Sequence, residues 1–411
     1  MYNIKLEYYV PEPKPATTDR IVAAHYYAAW KKGAAGLHNG FDDLHTFPER
    51  TPLCGYYDEE NPEFCDWEIK WAAEHGVNCF IYCWYRYKEN MGKPVTEDAL
   101  RCSHGIHKAM FNAKYQKHMK FAIMFENSLR WCNTDKEDLL NNLLPFWFET
   151  YFTRENYLVI DNRPVLMVCA ADLINKLFET AEEQRAVFDA CREYAKKYGF
   201  DGMYFGAAIW DYNKVDVERY MDYDNRGFDF HFGYNAGYAP TKDTDNDEEI
   251  IAGQCETLLR RIAPNPYTAV PTASCFRDAE PRTTEAWNKL GFNFAKETKY
   301  HLSPEGFRKL LAKMINISDG LPEGAFGKKL FMLDNWNEWD EGHYISPCHE
   351  YGFKYLQAIR EALSLRDNLP DYRMPQDLGL SNFNKSWGNP DLSEYCIKKF
   401  GVTYNEENKK E

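Results

Sequence analysis

The chain has 411 residues, of which 44% are hydrophobic and 16% aromatic, enough to bury the core of one barrel-sized domain. Its 49 basic and 63 acidic side chains give a net charge of −14. This balance argues against nucleic acid or an anionic membrane as a partner, because both favour basic protein surfaces.

Cysteine spacing and the N-terminal residues indicate the compartment. The 12 cysteines include no CxxC pair, so we expect free thiols in a reducing environment. The N-terminus lacks the basic start and apolar run of a signal peptide, and the longest apolar run, 77–85, is too short to span a bilayer. A loop with His38, Asp42, Asp43 and His45 matches no metal motif. The sequence therefore predicts a cytoplasmic protein without metal or cofactor.

Short apolar segments alternate with helical patterns after a polar arm. The predicted strands cover 21–27, 77–84, 120–125, 164–170, 202–208, 228–234, 268–274 and 329–333. The predicted helices cover 62–75, 96–118, 135–151, 172–198, 304–317 and 350–365. Asn61 followed by Pro62 is a typical helix start, with asparagine as the cap.

This alternation predicts the fold class, an α/β protein with a (β/α)8 TIM barrel. The strands are apolar runs, as in a parallel sheet buried on both faces, and their number favours a barrel over an open doubly wound sheet. No glycine-rich phosphate loop follows any strand, which weakens a nucleotide-binding interpretation. We assign 1–20 to an N-terminal arm, 21–365 to one barrel domain and 366–411 to a C-terminal extension packed on the barrel.

The last predicted strand continues into a polar and aromatic stretch, residues 333–342. It holds Asp334, Glu338, Asp340 and Glu341 together with two tryptophans. Carboxylates transfer protons at glycosidic and hydroxyl oxygens, and tryptophan faces cover the apolar faces of sugar rings. The alternative is a solvated connection whose acids cap the next helix. For this stretch alone the two interpretations stand equal.

Other polar and aromatic side chains follow the predicted strand ends, where barrel enzymes place their catalytic groups. The candidate substrate-binding residues are Tyr26, Tyr27, Trp30, Trp84, Tyr85, Glu126, Asn127, Arg130, Trp131, Trp210, Asp211, Tyr234, Asn235, Arg277, Arg282, Trp336, Asn337, His343 and Tyr344. Each alone has a structural alternative, such as rim packing of a tryptophan or an ion pair between Glu126 and Arg130. Their presence at nearly all strand ends favours a carbohydrate site.

The run 337–342, Asn-Glu-Trp-Asp-Glu-Gly, resembles the NEWxEG signature of glycoside hydrolase family 99, the endo-α-mannosidases, and of the related WbsX-like proteins. Further similar segments extend the resemblance over residues 21–360, namely 25–30 (HYYAAW), 55–58 (GYYD), 61–63 (NPE), 76–78 (GVN), 126–131 (ENSLRW), 162–165 (NRPV) and 351–356 (YGFKYL). The chain departs from the family pattern at Ser346, where a glutamate is usual, and at His343.

The resemblance implies a retaining α-glycosidase in which the substrate 2-hydroxyl, not a protein side chain, attacks the anomeric carbon. By motif position, Glu338 is the expected base on that hydroxyl and Glu341 the expected acid on the leaving oxygen. A helical turn at Trp339 would place their Cβ atoms about 5–6 Å apart, with Asp340 facing away. An extended chain would separate them by roughly 10 Å. The first distance is near the roughly 5–5.5 Å carboxyl separation of retaining enzymes.

Two further function classes stay open. A glycosyltransferase of polysaccharide biosynthesis would need a nucleotide-sugar site, and Asp243-Thr244-Asp245 has DxD spacing, but within a polar loop. A non-catalytic carbohydrate-binding barrel would not need the intact glutamate pair. The leading prediction is an α-glycoside hydrolase that acts on an oligo- or polysaccharide, with a mannoside-like sugar as one candidate.

Overall fold

The computed structural model describes residues 9–31, 41, 44, 46–128, 133–209, 217–283, 288–289, 293–378 and 383. Its parallel strands are β1 (Ile21–Tyr26), β2 (Cys79–Arg86), β3 (Lys120–Phe125), β4 (Arg163–Val168), β5 (Tyr204–Ile209), β6 (Phe230–Gly233), β7 (Thr272–Ser274) and β8 (Leu330–Asp334). Pairing runs β6-β5-β4-β3-β2-β1-β8-β7. The two ends meet through His231 in β6, whose backbone N–H donates to the Thr268 oxygen and whose backbone oxygen accepts from the Val270 N–H. The predicted (β/α)8 barrel is confirmed.

Helices cover the outside of the barrel. They are α1 (Pro62–Glu74), α2 (Ala181–Ala195), α3 (Val217–Asn225), α4 (Asp247–Ile262), α5 (Pro304–Asp319) and α6 (Lys354–Leu363), with short helices at Ala171–Asn175 and Phe326–Lys329 and helical segments over 105–112 and 136–152. Asn61 caps α1 by accepting the N–H of Glu63, with Pro62 at the first helical position, as the sequence indicates.

Two predicted helices differ from the structure. The continuous helix expected over 96–118 is wrong, because Leu100–Arg101 instead pairs antiparallel with the end of β2, and the range holds only short helical segments at 97–99, 105–112 and 116–118. The helix expected over 172–198 is interrupted, because Thr180 accepts the N–H of Glu183 and thereby starts α2 as a new helix. In both places other hydrogen bonds, a strand pairing in the first and a helix cap in the second, form instead of one continuous helix.

Side chains of the barrel strands alternate between the interior and the helical layer. In β2, the Trp84 indole N–H donates to the Tyr151 hydroxyl at 2.9 Å and therefore points outward into segment 136–152. Its neighbours Cys83 and Tyr85 point to the other face, toward the barrel interior. Every residue of β2 is buried, as expected for a strand covered on both faces.

The described parts of the terminal segments contact each other beside the start of β1. The Thr17 N–H donates to Asp367, and the Asn368 side chain donates to the backbone oxygen of Glu74 at the end of α1. The ten cysteines within the described residues are free thiols. None of the helices that the structure describes combines the length and apolarity needed to cross a bilayer.

Candidate active site

The chain leaves β8 through a β-hairpin that carries the motif residues. Asn337–Glu338 pairs antiparallel with His343–Tyr344, and residues 339–342 form the turn. Gly342 has a φ of 61°, and a Cβ there would lie 2.3 Å from the Asp278 backbone oxygen, so the turn requires glycine. The observed hairpin is therefore neither the helical turn nor the extended chain that were considered for Glu338 and Glu341 from the sequence.

Three buried carboxylates from this stretch gather around Arg282, which follows β7, and a fourth, Asp334, lies between His25 and His343. The Arg282 guanidinium bonds both oxygens of Asp340 at 2.9 Å, contacts Glu341 and lies 3.1 Å from a Glu338 oxygen. Asp340 therefore does not face away from the glutamates, as the helical-turn geometry had implied. We call Asp334, Glu338, Asp340 and Glu341, with the cations Arg277, Arg282 and His343, the carboxylate cluster.

Glu338 is held by neutral donors and by one edge of Arg282. The Tyr234 hydroxyl donates to Glu338 Oε2 at 2.5 Å, and the Asn335 amide donates to the same oxygen at 3.1 Å. Burial and the charge of Glu341 raise the pKa of Glu338 to about 7, against the opposing pull of His343 and Arg282. The carboxyl group of Glu338 is therefore partly protonated near neutral pH.

Glu341 is surrounded by cations. Arg277 donates to its Oε2 at 2.6 Å, Arg282 contacts Oε1, and His343 Nε2 lies 3.0 Å from Oε2. Burial opposes ionisation of Glu341, but these cations outweigh it and hold its pKa well below the usual range. Its side chain is 12% exposed against 4% for Glu338, so solvent reaches the carboxylate cluster at Glu341.

Glu338, Glu341 and His343 place one potential ligand atom each within 4.8 Å of one another. The oxygens of both glutamates are, however, engaged by Arg282, and Glu341 also by Arg277. A divalent cation would have to displace or repel these arginines, so the arrangement fits proton transfer better than metal binding.

Several predicted site residues meet in or beside the carboxylate cluster. Glu338, Glu341, Tyr234, Arg277, Arg282 and His343 belong to it or contact it directly. Tyr27 lies beside it, with the Arg282 guanidinium 5.7 Å from the centre of its ring. Burial, then Cys83, Tyr27 and Glu126, raise the pKa of Tyr85. The Glu126 side chain is also buried and accepts hydrogen bonds from Ser128.

Other predicted residues serve the scaffold. Tyr26 and Trp336 both donate to Glu68, and Trp84 donates to Tyr151, in each case toward the helical layer. The Tyr344 ring packs on Trp339 and Phe276. Trp30 stacks on Phe41, Asn337 bonds Glu59 and the Tyr27 backbone, and Asn127 bridges to the Ala170 backbone. A substrate contact for these seven residues stays a prediction; in the structure their side chains bond to or pack on other protein groups.

The remaining predictions are of two kinds. Asn235 is buried beside Tyr234 and has left-handed backbone angles, with φ 49°. Arg130, Trp131, Trp210 and Asp211 lie outside the residues that the structure describes.

Sequence reasoning did not assign site roles to Asp334, Asn335, Asp340 or His25. Asn335 donates to Glu338, Asp340 binds Arg282, and Asp334 lies between His25 and His343. Asp334 and Asp340 were visible as acids of the motif stretch, but their partners come from other strands and only the fold reveals them.

A cavity of about 580 Å³ lies elsewhere, where the barrel strands begin. It is lined by Ile21, Asn78, Gln116, Lys117, His118, Lys120, Arg154, Glu155 and Asn156. Because catalytic groups of such barrels lie at the opposite, C-terminal strand ends, we place the active site at the carboxylate cluster despite the size of this cavity.

Comparison with known families supports the motif assignment. A family model described as Glycosyltransferase WbsX matches residues 30–359. Two curated proteins of Xanthomonas campestris pv. campestris, each named Uncharacterized protein WxcX, are 23% and 22% identical over 394 and 392 residues. Each match covers 86% of this chain and 50% of the relative, so the chain spans about half the length of these relatives.

Solved structures share the barrel. A glycoside hydrolase-like protein has a TM-score of 0.58 at 16% identity, over 87% of this chain and 98% of its own. The GH99 endo-α-mannosidase from Bacteroides thetaiotaomicron, in complex with bis-tris-propane, has a TM-score of 0.52 at 13% identity, over 84% of this chain and 95% of its own. At these identities the likeness establishes a common fold.

Proposed function

The chain belongs to the WbsX glycosyltransferase family, and we propose that it is a retaining α-glycoside hydrolase acting on an oligo- or polysaccharide. The proposal depends chiefly on Glu338 and Glu341, which place oxygens within 4.8 Å and share Arg282, yet have pKa values shifted in opposite directions. A close pair with one protonated and one ionised member suits acid–base work on a glycosidic bond.

The family 99 resemblance supplies the roles. In the first step, the substrate 2-hydroxyl oxygen bonds to the anomeric carbon while Glu338 takes the hydroxyl proton and Glu341 protonates the leaving oxygen. In the second step, water opens the anhydro sugar, with Glu341 as base and Glu338 returning its proton to the 2-oxygen. The opposite pKa shifts, raised for Glu338 and lowered for Glu341, favour the charge distribution that holds between the two steps.

The glycosyltransferase alternative has one specific sequence feature, the DxD spacing at 243–245. Asp243 accepts the backbone N–H of Lys299, and the neighbouring Asp247 accepts from Ser303, so acids of this loop fix the chain before α4 and α5. A structural role for these acids weakens the DxD spacing as an indication of a nucleotide-sugar site.

The test is to incubate the protein with α-linked oligosaccharides, mannosides first, and separately with UDP- and GDP-sugars. We expect hydrolysis with retained configuration by product NMR, and Glu338→Gln and Glu341→Gln as inactive controls. A 2-fluoro glycosyl fluoride should leave no covalent adduct in the protein mass, because it lacks the attacking hydroxyl. Sugar transfer from a nucleotide donor, an inverted product or an adduct on Glu338 would contradict the proposal.

A further inference from the structure

Asp334 and His343 form a second ionisable pair next to the two glutamates, and the mechanism proposed above gives neither residue a role. Asp334 ends β8 and is fully buried, with one oxygen 3.3 Å from His25 Nδ1 and the other 3.2 Å from His343 Nδ1. His343 turns its second nitrogen, Nε2, toward the active pair, 3.0 Å from Glu341 Oε2 and 3.4 Å from Glu338 Oε2. One imidazole nitrogen thus faces both glutamates while the other is held by an aspartate.

The surroundings of His343 favour its charged form. The groups that face it are Asp334 from β8, Glu338 and Glu341 from the hairpin, and Tyr234 from the end of β6, with Arg277 and Arg282 beyond Glu341 and His25 beyond Asp334. Burial acts to lower the pKa of His343, but the three carboxylates outweigh it and raise that pKa to about 9. Asp334 is correspondingly ionised, since burial is overcome by the two histidines and its pKa falls to about 2.

The proposed function leaves a proton to be moved. The first step needs an ionised Glu338 and a protonated Glu341. The second step restores that state, but the opposite pKa shifts of the two glutamates favour the proton on Glu338, so between turnovers the proton returns there and has to be moved again. A side chain that carries this proton has to contact both carboxylates and return to its own starting protonation state. His343 Nε2 meets the first condition by its distances to the two Oε2 atoms.

We propose that His343, fixed by Asp334, is a positioning residue that carries a proton from Glu338 to Glu341 before the first chemical step. The inference rests on the proposed function. The Nε2 proton passes to Glu341 Oε2 and leaves a neutral imidazole, which then takes the carboxylic proton of Glu338. The net change is one proton moved between the glutamates, and no other reactant is consumed.

Asp334 has a defined part in this transfer. Its contact with Nδ1 keeps that nitrogen protonated and the ring oriented, so that Nε2 is the nitrogen that exchanges. Asp334→Asn keeps the shape but removes the charge, and therefore separates an electrostatic role from packing.

The first experiment needs no substrate. In protein with ¹⁵N-labelled histidine, NMR at pH 7 should show both His343 nitrogens protonated, with the signal assigned by its loss in His343→Gln. Asp334→Asn should lower the His343 titration midpoint by about one pH unit or more. A neutral His343 at pH 7 in the wild type, or an unchanged midpoint in Asp334→Asn, would overturn the inference even if glycosidase activity were found.

The second experiment measures turnover. His343→Gln keeps a donor for Glu341 but cannot relay a proton, so kcat should fall about 100-fold, with KM changed by less than about threefold and an altered pH profile. The matched control is His75→Gln, because His75 is equally buried but bonds the Trp71 backbone in the helical layer. An unchanged pH profile in His343→Gln would overturn the inference. A wild type that protonates His343 as expected but cleaves no glycoside would refute the proposed function instead.

Discussion

Two sets of buried carboxylates lie in or beside the motif stretch 333–342. One set is paired with cations, and the other accepts hydrogen bonds from neutral donors. On the barrel side, Glu338 and Glu341 meet Arg277, Arg282 and His343. On the helical side, the outer carboxylates Glu59 and Glu68 accept from neutral donors. These donors are the Asn337 amide and Trp30 backbone for Glu59, and the Trp336 indole and Tyr26 hydroxyl for Glu68.

The difference separates chemistry from scaffold. Burial raises the pKa of both outer carboxylates well above the ordinary value, and neutral donors do not reverse it, which favours the neutral form of Glu59 and Glu68. On the barrel side cations keep Glu341 ionised while Glu338 retains a proton. Charge balance, not depth of burial, distinguishes the proposed reactive pair from the outer carboxylates, which bond Trp336 and Asn337.

Among the substitutions that test this comparison, Glu341→Gln should have the largest effect, which is on kcat. Loss of the proposed acid should lower kcat by about 10²- to 10⁴-fold on substrates with poor leaving groups, while activated aryl glycosides retain more activity. Steady-state kinetics on both substrate types checks this.

A matched control for that substitution is Glu297→Gln. Glu297 binds the other edge of Arg277 but does not contact Glu338, so its loss should leave the ratio of activities on the two substrate types unchanged. Equal losses on both substrate types in Glu341→Gln would contradict the acid role.

Arg282→Met tests the cations of the barrel side. It removes the shared partner of Glu338, Asp340 and Glu341 and leaves their buried charges uncompensated, so the free energy of unfolding should fall by about 3–5 kcal/mol. Urea unfolding measures it. Arg260→Met removes an exposed helical pair with Glu256 and should cost about 0.5 kcal/mol or less. Equal losses in the two variants would show that Arg282 behaves as a surface residue.

The barrel and the glutamate pair were predictable because they depend on local signals. Apolar runs separated by helical patterns give the strands, and the 337–342 motif gives Glu338 and Glu341. The direction of Trp84 and Trp336 was not predictable, because a shift of one residue in strand register reverses the face. Nor was the pairing of Asp340 with Arg282, which are 58 positions apart and meet only in the folded chain.

A smaller effect should appear in the pH dependence of stability. Because the folded pKa of His343 is raised to about 9, its stabilising contribution is complete below about pH 6.5 and is lost as the pH rises through 9. The wild type should therefore lose about 1–3 kcal/mol relative to His343→Gln across this window. Urea unfolding at pH 6, 7.5 and 9 measures the difference, and a constant difference would place His343 in its neutral form.

The smallest effect is expected from Glu68→Gln, and it tests the helical side of the comparison. A neutral Glu68 resembles glutamine: the amide oxygen can accept from the Trp336 indole, and the amide N–H can donate to the Tyr26 oxygen. Moreover, a carboxyl whose folded pKa is raised loses stability as the pH rises above about 4.5, because the unfolded chain ionises, and glutamine has no such loss. Glu68→Gln should therefore be no less stable than the wild type at pH 7, with kcat within about twofold. Glu68→Leu removes the acceptor and should cost about 1–3 kcal/mol. If Glu68→Gln instead destabilised the protein as much as Glu68→Leu at pH 7, Glu68 would be ionised, and the charge-balance distinction between the two sets of carboxylates would fail.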